Sequence, residues 1–229
     1  MLRLPKTGLI GLLLIGAVGT ASAAPITYDV TVNTASLSGT TGSLDLNFNP
    51  GPLTTQAATV QIDSFSGAAT SGSAFLTGAA SGALPGVVTL TNGTAFNDYF
   101  QDVVYGTTLT FDLSLSGPAL SSPDGTSLSG SGLAFSLFSD AAGTQPALTS
   151  DAIDGFAATV GVNLDGTTTV SNFSSDTSIT AAGGSTSVPE PDSIALAAVG
   201  FVLALLGVYR RRRPTTGRAR TNFQLNTVG

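Results

Sequence analysis

The chain has 229 residues, a formal net charge of −6, and no cysteine, histidine or tryptophan. That length suits one domain of ordinary size plus targeting segments, without a disulfide framework and without the commonest general base and metal ligand. All eight Lys and Arg lie outside residues 24–209 and all fourteen acids lie inside them, so that stretch carries −14, cannot form internal Lys/Arg salt bridges, and repels nucleic acid and anionic lipid. Divalent cations, neutral glycans and cationic polymers are the small partners this charge admits.

Residues 1–23 read as a cleaved secretory signal peptide. Arg3 and Lys6 give the charged start, Gly8 to Val18 the short apolar core, and Ala21-Ser22-Ala23 a small-residue cleavage site carried by Ala21 and Ala23. The mature chain is then expected to begin at Ala24.

From Ala24 onward the dominant period is two. Ile26, Tyr28, Val30 and Val32 alternate with Thr and Asp. So do Leu44, Leu46 and Phe48 with Asp45 and Asn47, and Leu109, Phe111, Leu113 and Leu115 with Thr110, Asp112 and Ser114. Val60 and Ile62, Leu133 to Leu137 and Phe156 to Leu164 repeat the pattern. Such alternation puts one face in a core and the other in water. Turn signals separate the runs: Asn49-Pro50-Gly51-Pro52, Leu84-Pro85-Gly86, Asn92-Gly93, Pro123-Asp124-Gly125 and Asp165-Gly166. The pattern predicts an all-β, antiparallel β-sandwich or jelly-roll-like ectodomain over residues 24–176. One helical segment is expected from Thr94 to Val103, where Ala95, Phe96, Tyr99, Phe100 and Val103 fall at roughly helical spacing. Residues 177–187 lose the alternation and are rich in Ala, Gly, Ser and Thr, which reads as a flexible linker.

The C-terminal part has a different composition. Ile194 to Tyr209 is an uninterrupted apolar run. As a helix it spans about 24 Å, slightly short of a hydrocarbon core of about 30 Å, and the stems of Arg210, Arg211, Arg212 and Arg213 can extend it by snorkelling. The reading is one transmembrane helix at 194–209, with the arginine cluster 210–213 in the cytoplasm and the body outside. Residues 214–229 read as a disordered tail.

Val188-Pro189-Glu190-Pro191, the short apolar helix and the arginine cluster, in that order, resemble the PEP-CTERM sorting signal. That resemblance implies export in Gram-negative bacteria that make exopolysaccharide, and recognition of Pro189, Glu190 and Pro191 by exosortase, a transpeptidase-like enzyme of the membrane. The physics agrees: two prolines hold an extended strand that cannot join the helix, just outside the bilayer. Sixteen residues follow the arginines, where the family pattern ends close to them. Three stretches of the body, Ser36 to Gly51, Asn92 to Leu120 and Phe156 to Thr169, resemble a recurrent group of PEP-CTERM proteins that carries no known activity or site residues.

Catalytic constellations are scarce. A Ser-Lys dyad has no lysine in the body, and a Ser-His-Asp triad has no histidine anywhere. Paired carboxylates for glycoside hydrolysis can be drawn only from aspartates such as Asp98 with Asp102 or Asp151 with Asp154, which read first as solvated turn residues. Asp45-Leu46-Asn47-Phe48-Asn49 begins like a calcium loop, then fails, with Pro50 where glycine is needed and Gln56 where glutamate is needed. The excess of acid leaves room for weak surface Ca²⁺ binding, with no nameable site and no cofactor otherwise expected. Asn92-Gly93-Thr94 fits a glycosylation acceptor but reads as a turn.

The expected protein is therefore not an enzyme. It is an exported surface or extracellular-matrix protein, first a single-pass inner-membrane intermediate with its ectodomain outside, then at the cell surface or beyond. Its partners are the processing enzyme, the membrane through its helix, and exopolysaccharide, with no nucleic acid. Two other readings have distinct signatures. A glycan-binding or adhesive module needs an exposed aromatic platform, for which Phe96, Tyr99, Phe100 and Tyr105 are the candidates. A polymer-acting enzyme needs a concave pocket with two aspartates about 5–10 Å apart.

Overall fold

A computed structural model of the chain describes residues 24–182. The expected signal peptide, the sorting motif, the transmembrane helix, the arginine cluster and the tail all lie outside the described residues. No helix among the described residues is long and apolar enough to cross a membrane.

Eleven strands follow one another among the described residues: β1 Ile26–Asn33, β2 Thr41–Pro50, β3 Thr59–Thr77, β4 Ala80–Gly82, β5 Val88–Thr91, β6 Asp98–Ser116, β7 Ser131–Phe138, β8 Pro146–Ala147, β9 Ala158–Val162, β10 Thr168–Asn172 and β11 Thr177–Ala181. A single helical turn, α1 at Pro118–Ser121, leaves β6. The pairings are antiparallel. This is the all-β sandwich the alternation predicts.

The two layers share two long strands. The first half of β6 pairs with β2, from Asn47 opposite Asp98 to Thr41 opposite Val104. The second half pairs with β1, from Asn33 opposite Thr108 to Ile26 opposite Leu115. β3 runs beside β6 along its whole length, with register shifts between Asp63 and Phe75. One layer is thus β10-β9-β7-β2 with the first half of β6 and the end of β3. The other is β11-β1 with the second half of β6, the start of β3, β5 and β4. Bulges and glycines are the devices that turn a corner in a continuous sheet. Here Gly67, at φ +87°, meets Gly106: a Cβ on the first would stand 1.7 Å from the Thr108 carbonyl, and on the second 2.4 Å from the Gly67 carbonyl. No side chain fits at either place.

The inward faces close on one core. Val30, Leu46, Phe48, Ile62, Leu113 and Leu137 are each at most 1% exposed, and each such side chain contributes about 1.5–3 kcal/mol on burial. Phe111 of one layer meets Phe135 of the other edge-on, with ring centroids 5.6 Å apart. The Tyr28 and Thr168 hydroxyls hydrogen-bond across the layers at 2.5 Å. The Tyr105 hydroxyl donates to the Ser43 carbonyl at 2.6 Å, close to the corner.

Two elements differ from the sequence reading. The helix expected over Thr94 to Val103 is instead a loop followed by the start of β6. Tyr99, Gln101 and Val103 are buried on the core side, while Phe100 stands with Asp98 and Asp102 on the opposite face. Apolar residues on both faces of one strand imitate helical spacing. The first part of the flexible linker expected over residues 177–187 is instead a strand, because Thr177–Ala181 forms β11 against β1, with Ile179 opposite Val30; its residues from 183 on lie outside the described residues. β11 owes its place to backbone pairing with β1 and to one apolar contact, too little to register as a period.

Candidate acidic sites and the sorting segment

Twelve of the fourteen acids lie among the described residues, all aspartates, with no Lys or Arg to neutralise them. The fold sorts nine of them into three environments.

Four are held by their own turns. Asp124 accepts the backbone N–H groups of Thr126 and Ser127 at 2.9 and 2.8 Å. Asp140 accepts from Thr144 and Gln145, Asp151 from Ile153 and Asp154, and Asp165 from Thr167. Hydrogen bonds to the charged form favour it. The Ser127 and Thr126 amides hold Asp124 below the usual carboxylate range, the Thr144 hydroxyl does so for Asp140, the Ile153 and Asp154 amides for Asp151, and the Thr167 hydroxyl and amide for Asp165. Asp124, Asp151 and Asp165 are turn residues, as the sequence suggests, and Asp140 is a fourth. Asp151 and Asp154 are brought together, but inside one turn where Asp151 already serves the Asp154 amide.

Three others form a row on the outer face of the β1-containing layer. Asp29 of β1 stands opposite Asp112 of β6, which stands opposite Asp63 of β3. The next row on one side is Thr27, Ser114, Gln61 and Thr89, and on the other Thr31, Thr110 and Ser66. The face is a hydroxyl surface with an acidic row across it. Its members are exposed or half-buried, and like charges directly opposite one another destabilise a sheet modestly.

The third environment is on the outer face of the other layer. Asn47 of β2 faces Asp98 of β6, and Asp45 of β2, facing Phe100, is the diagonal neighbour of Asp98. Diagonal cross-strand neighbours are within reach of side chains of this length. Here the outer face is covered: Asp98 is 8% exposed, and Ala134, Ser136 and Phe138 of β7 are buried on the same side. The loop after β7 folds over Phe100, leaving no room for a Cβ at Gly143, which would stand 2.7 Å from the ring. Burial pushes the Asp98 carboxyl up from 3.8 to about 8, and the hydrogen bond and negative charge of Asp45 add to the rise. Burial and the neighbouring Asp45 carboxylate together disfavour the charged form of Asp98.

Asn97 fixes this corner. It is fully buried. Its side-chain N–H groups donate to the Phe48 and Thr94 carbonyls at 2.9 and 2.8 Å, its carbonyl oxygen accepts the Ala79 amide at 2.9 Å, and its own amide donates to Asn49 Oδ1 at 2.7 Å. Asn49 is thereby committed to Asn97. Of the sequence triplet Asp45, Asn47 and Asn49, only the first two keep free oxygens on this face.

The other candidate sets come apart. Asp98 and Asp102 share a face, but four residues along a strand separate them by about 13 Å, beyond the carboxylate spacing of glycosidases. Of the aromatic platform, Tyr99 and Tyr105 are buried in the core, Phe100 is half-buried and Phe96 is exposed. The Asn92 side chain is tied inside the fold, donating to the Gln56 carbonyl and Ser131 hydroxyl and accepting from the Ala58 amide. An open hollow of about 540 Å³ near Leu148 and Phe173 carries a single acid, Asp176, already paired with Asn33. Among the described residues no cluster of three or more carboxylates, imidazoles or thiols is placed to enclose a metal ion. The Asp45–Asp98 meeting had no local signal, because it depends on the register of two strands more than fifty residues apart.

No curated protein and no solved structure matches the chain. A family comparison does match: the PEP-CTERM protein-sorting motif, over residues 187–213. The match contains Pro189, Glu190 and Pro191, the apolar run and the four arginines. The resemblance of the body to other PEP-CTERM proteins is not part of it. The chain carries a PEP-CTERM sorting motif, which implies an exported protein handled by an exosortase.

Proposed function

We propose that the sorted product is a non-catalytic surface or extracellular-matrix protein that associates with exopolysaccharide. The observation that carries this reading is the sorting motif at residues 187–213, which delivers the body to the cell surface. The body suits such a role. Its acids are committed to turns, spread along a flat face, or paired under cover, and none of these arrangements offers a nucleophile with a base beside it. Pro189, Glu190 and Pro191 make the protein the substrate of the sorting enzyme, and Ile194 to Arg213 hold that motif at the membrane surface.

A second reading, a glycan-binding module, is favoured by the outer face around Asp29, Asp112 and Asp63. Its hydroxyl and carboxylate groups are regularly spaced, as hydrogen-bonding partners for a neutral polysaccharide should be. The aromatic version of that reading keeps only Phe96 well exposed. One experiment tests both. The secreted protein is mixed with exopolysaccharide from the producing cells, then sedimented, and the polymer is sized. Co-sedimentation with the polymer length unchanged is expected. Shortened polymer would establish an enzyme, and a protein that stays in the supernatant would remove the polysaccharide partner.

A further inference from the structure

We propose that Asp45, Asn47 and Asp98 form a binding site for one hard divalent cation, calcium foremost, on the covered outer face of the β7-β2-β6 layer. The inference starts from unsatisfied atoms. Asp45 Oδ1, Asn47 Oδ1 and Asp98 Oδ1 are buried, and none has a hydrogen-bond partner. The large majority of buried side-chain polar atoms in folded proteins have a hydrogen-bond partner. Here three unsatisfied acceptors lie together, on paired and diagonal positions of two adjacent strands. Asp98 is itself more than nine-tenths buried.

The surroundings offer these atoms no protein donor of positive charge. Residues 24–182 contain no Lys, Arg or His. Along the strands the flanking positions are Ala134 and Ser136 of β7, Phe100 of β6 and Thr77 of β3. Asn49, the next polar residue of β2, is excluded because its oxygen already accepts the Asn97 amide. The same contact is useful. Asn97 ties the end of β2, the loop before β6 and the turn after β3 into one rigid corner, so Asp98 is held still beside Asn47. Supporting contacts of this kind orient the ligands of metal sites.

The donor set names the class of ligand. Two carboxylates and one amide oxygen are hard donors, suited to Ca²⁺ or Mg²⁺ and unsuited to metals that prefer nitrogen or sulfur. Calcium is favoured because it accepts irregular geometry and completes a shell of six to eight oxygens with water, whereas Mg²⁺ demands a near-ideal octahedron. With three protein ligands the affinity belongs in the range of extracellular calcium modules, about 10⁻⁴–10⁻³ M. The local sequence Asp45 to Asn49 only imitates a calcium loop; the site that the fold builds draws its third ligand from another strand.

The test uses the full chain with calcium chloride as the probe, by equilibrium dialysis and by hydrogen exchange read by mass spectrometry. One saturable site is expected, with slowed exchange confined to peptides covering Ser43 to Asn49 and Asn97 to Gln101. Asp98→Asn and Asp45→Asn should each weaken binding at least tenfold, and Asp63→Asn on the opposite face should leave it unchanged. Three results would overturn the proposal: no binding at about 10 mM calcium, well above the range for such sites; protection spread over both outer faces, the mark of a diffuse counter-ion cloud; or wild-type affinity in the Asp98 and Asp45 variants, the mark of a carboxyl pair that shares only a proton. If those variants fail to fold, the exchange map of the wild-type chain decides.

Discussion

The two outer faces of the sandwich begin from the same sequence pattern and end in opposite chemistry. On each, aspartates occupy alternate, outward positions of the strands. On the β1-containing layer Asp29, Asp112 and Asp63 stand in a row open to water, and nothing covers them. On the other layer Asp45, Asn47 and Asp98 stand in an equally simple arrangement, with β7 contributing Ala134, Ser136 and Phe138 alongside and the following loop folded over Phe100. The open acids stand on a solvated surface, and burial pushes the carboxyl of the covered Asp98 up. An aspartate's role in this protein is decided by what lies over its sheet, which the period of its own strand does not encode.

The largest effect that separates the faces should come from a new carboxylate. In EDTA, Ser136→Asp would add an unpaired charge beside Asp45 where no protein cation can neutralise it, and should cost about 3 kcal/mol or more, which lowers Tm by about 6–12 °C for a domain of this size. Gln61→Glu on the open face should stay within about 0.5 kcal/mol. Equal thermal shifts for the two variants would erase the distinction between the faces.

Removing the buried acid should do the reverse. A carboxyl whose pKa rises on folding favours the fold fully below its unfolded value near 3.8, and that contribution is lost as pH rises through about 8. The charged group facing it is Asp45, with Asp102 on the same strand face and no cation on any packed element. In EDTA, Asp98→Asn should therefore melt above wild type at pH 8, with the gap closing towards pH 4. The four turn aspartates act with the opposite sign: their stabilisation is present above the ordinary carboxylate range and lost as pH falls through their lowered values. A gap between wild type and variant that is constant with pH would deny Asp98 its raised pKa. The smallest effect belongs to the open row, where Asp112→Asn relieves like charges on both sides and should add about 0.2–1 kcal/mol, diminishing in high salt.

β1, β2, β7, β9, the start of β3 and the second half of β6 were legible because each sets Val, Leu, Ile or Phe at alternate positions, whereas β4, β8 and β10 carry no such run. Leu44 to Phe48 and Leu109 to Leu115 show this most plainly, and both became strands with their apolar residues in the core. The same rule misread Thr94 to Val103, where Phe100 is an outward apolar residue covered by a loop, and it missed β11, which a partner strand holds in place. Turn chemistry at Asp124 and Asp165 was legible because an aspartate beside glycine satisfies nearby amides locally. The meeting of Asp45 with Asp98, and the row of Asp29, Asp112 and Asp63, depend on register between distant strands, and no local window contains that. The sorting segment was legible for the opposite reason: its order of tetrad, apolar run and arginines is contiguous in the chain.

The central claim, that residues 187–213 are a sorting address, is tested most directly by the intact mass of the mature protein recovered from the cells that make it. A chain lacking the apolar run and everything after it, and retained at full length when Pro189→Ala and Glu190→Ala are introduced, is the predicted result. A full-length, membrane-held chain whose mass and location ignore those substitutions would contradict it.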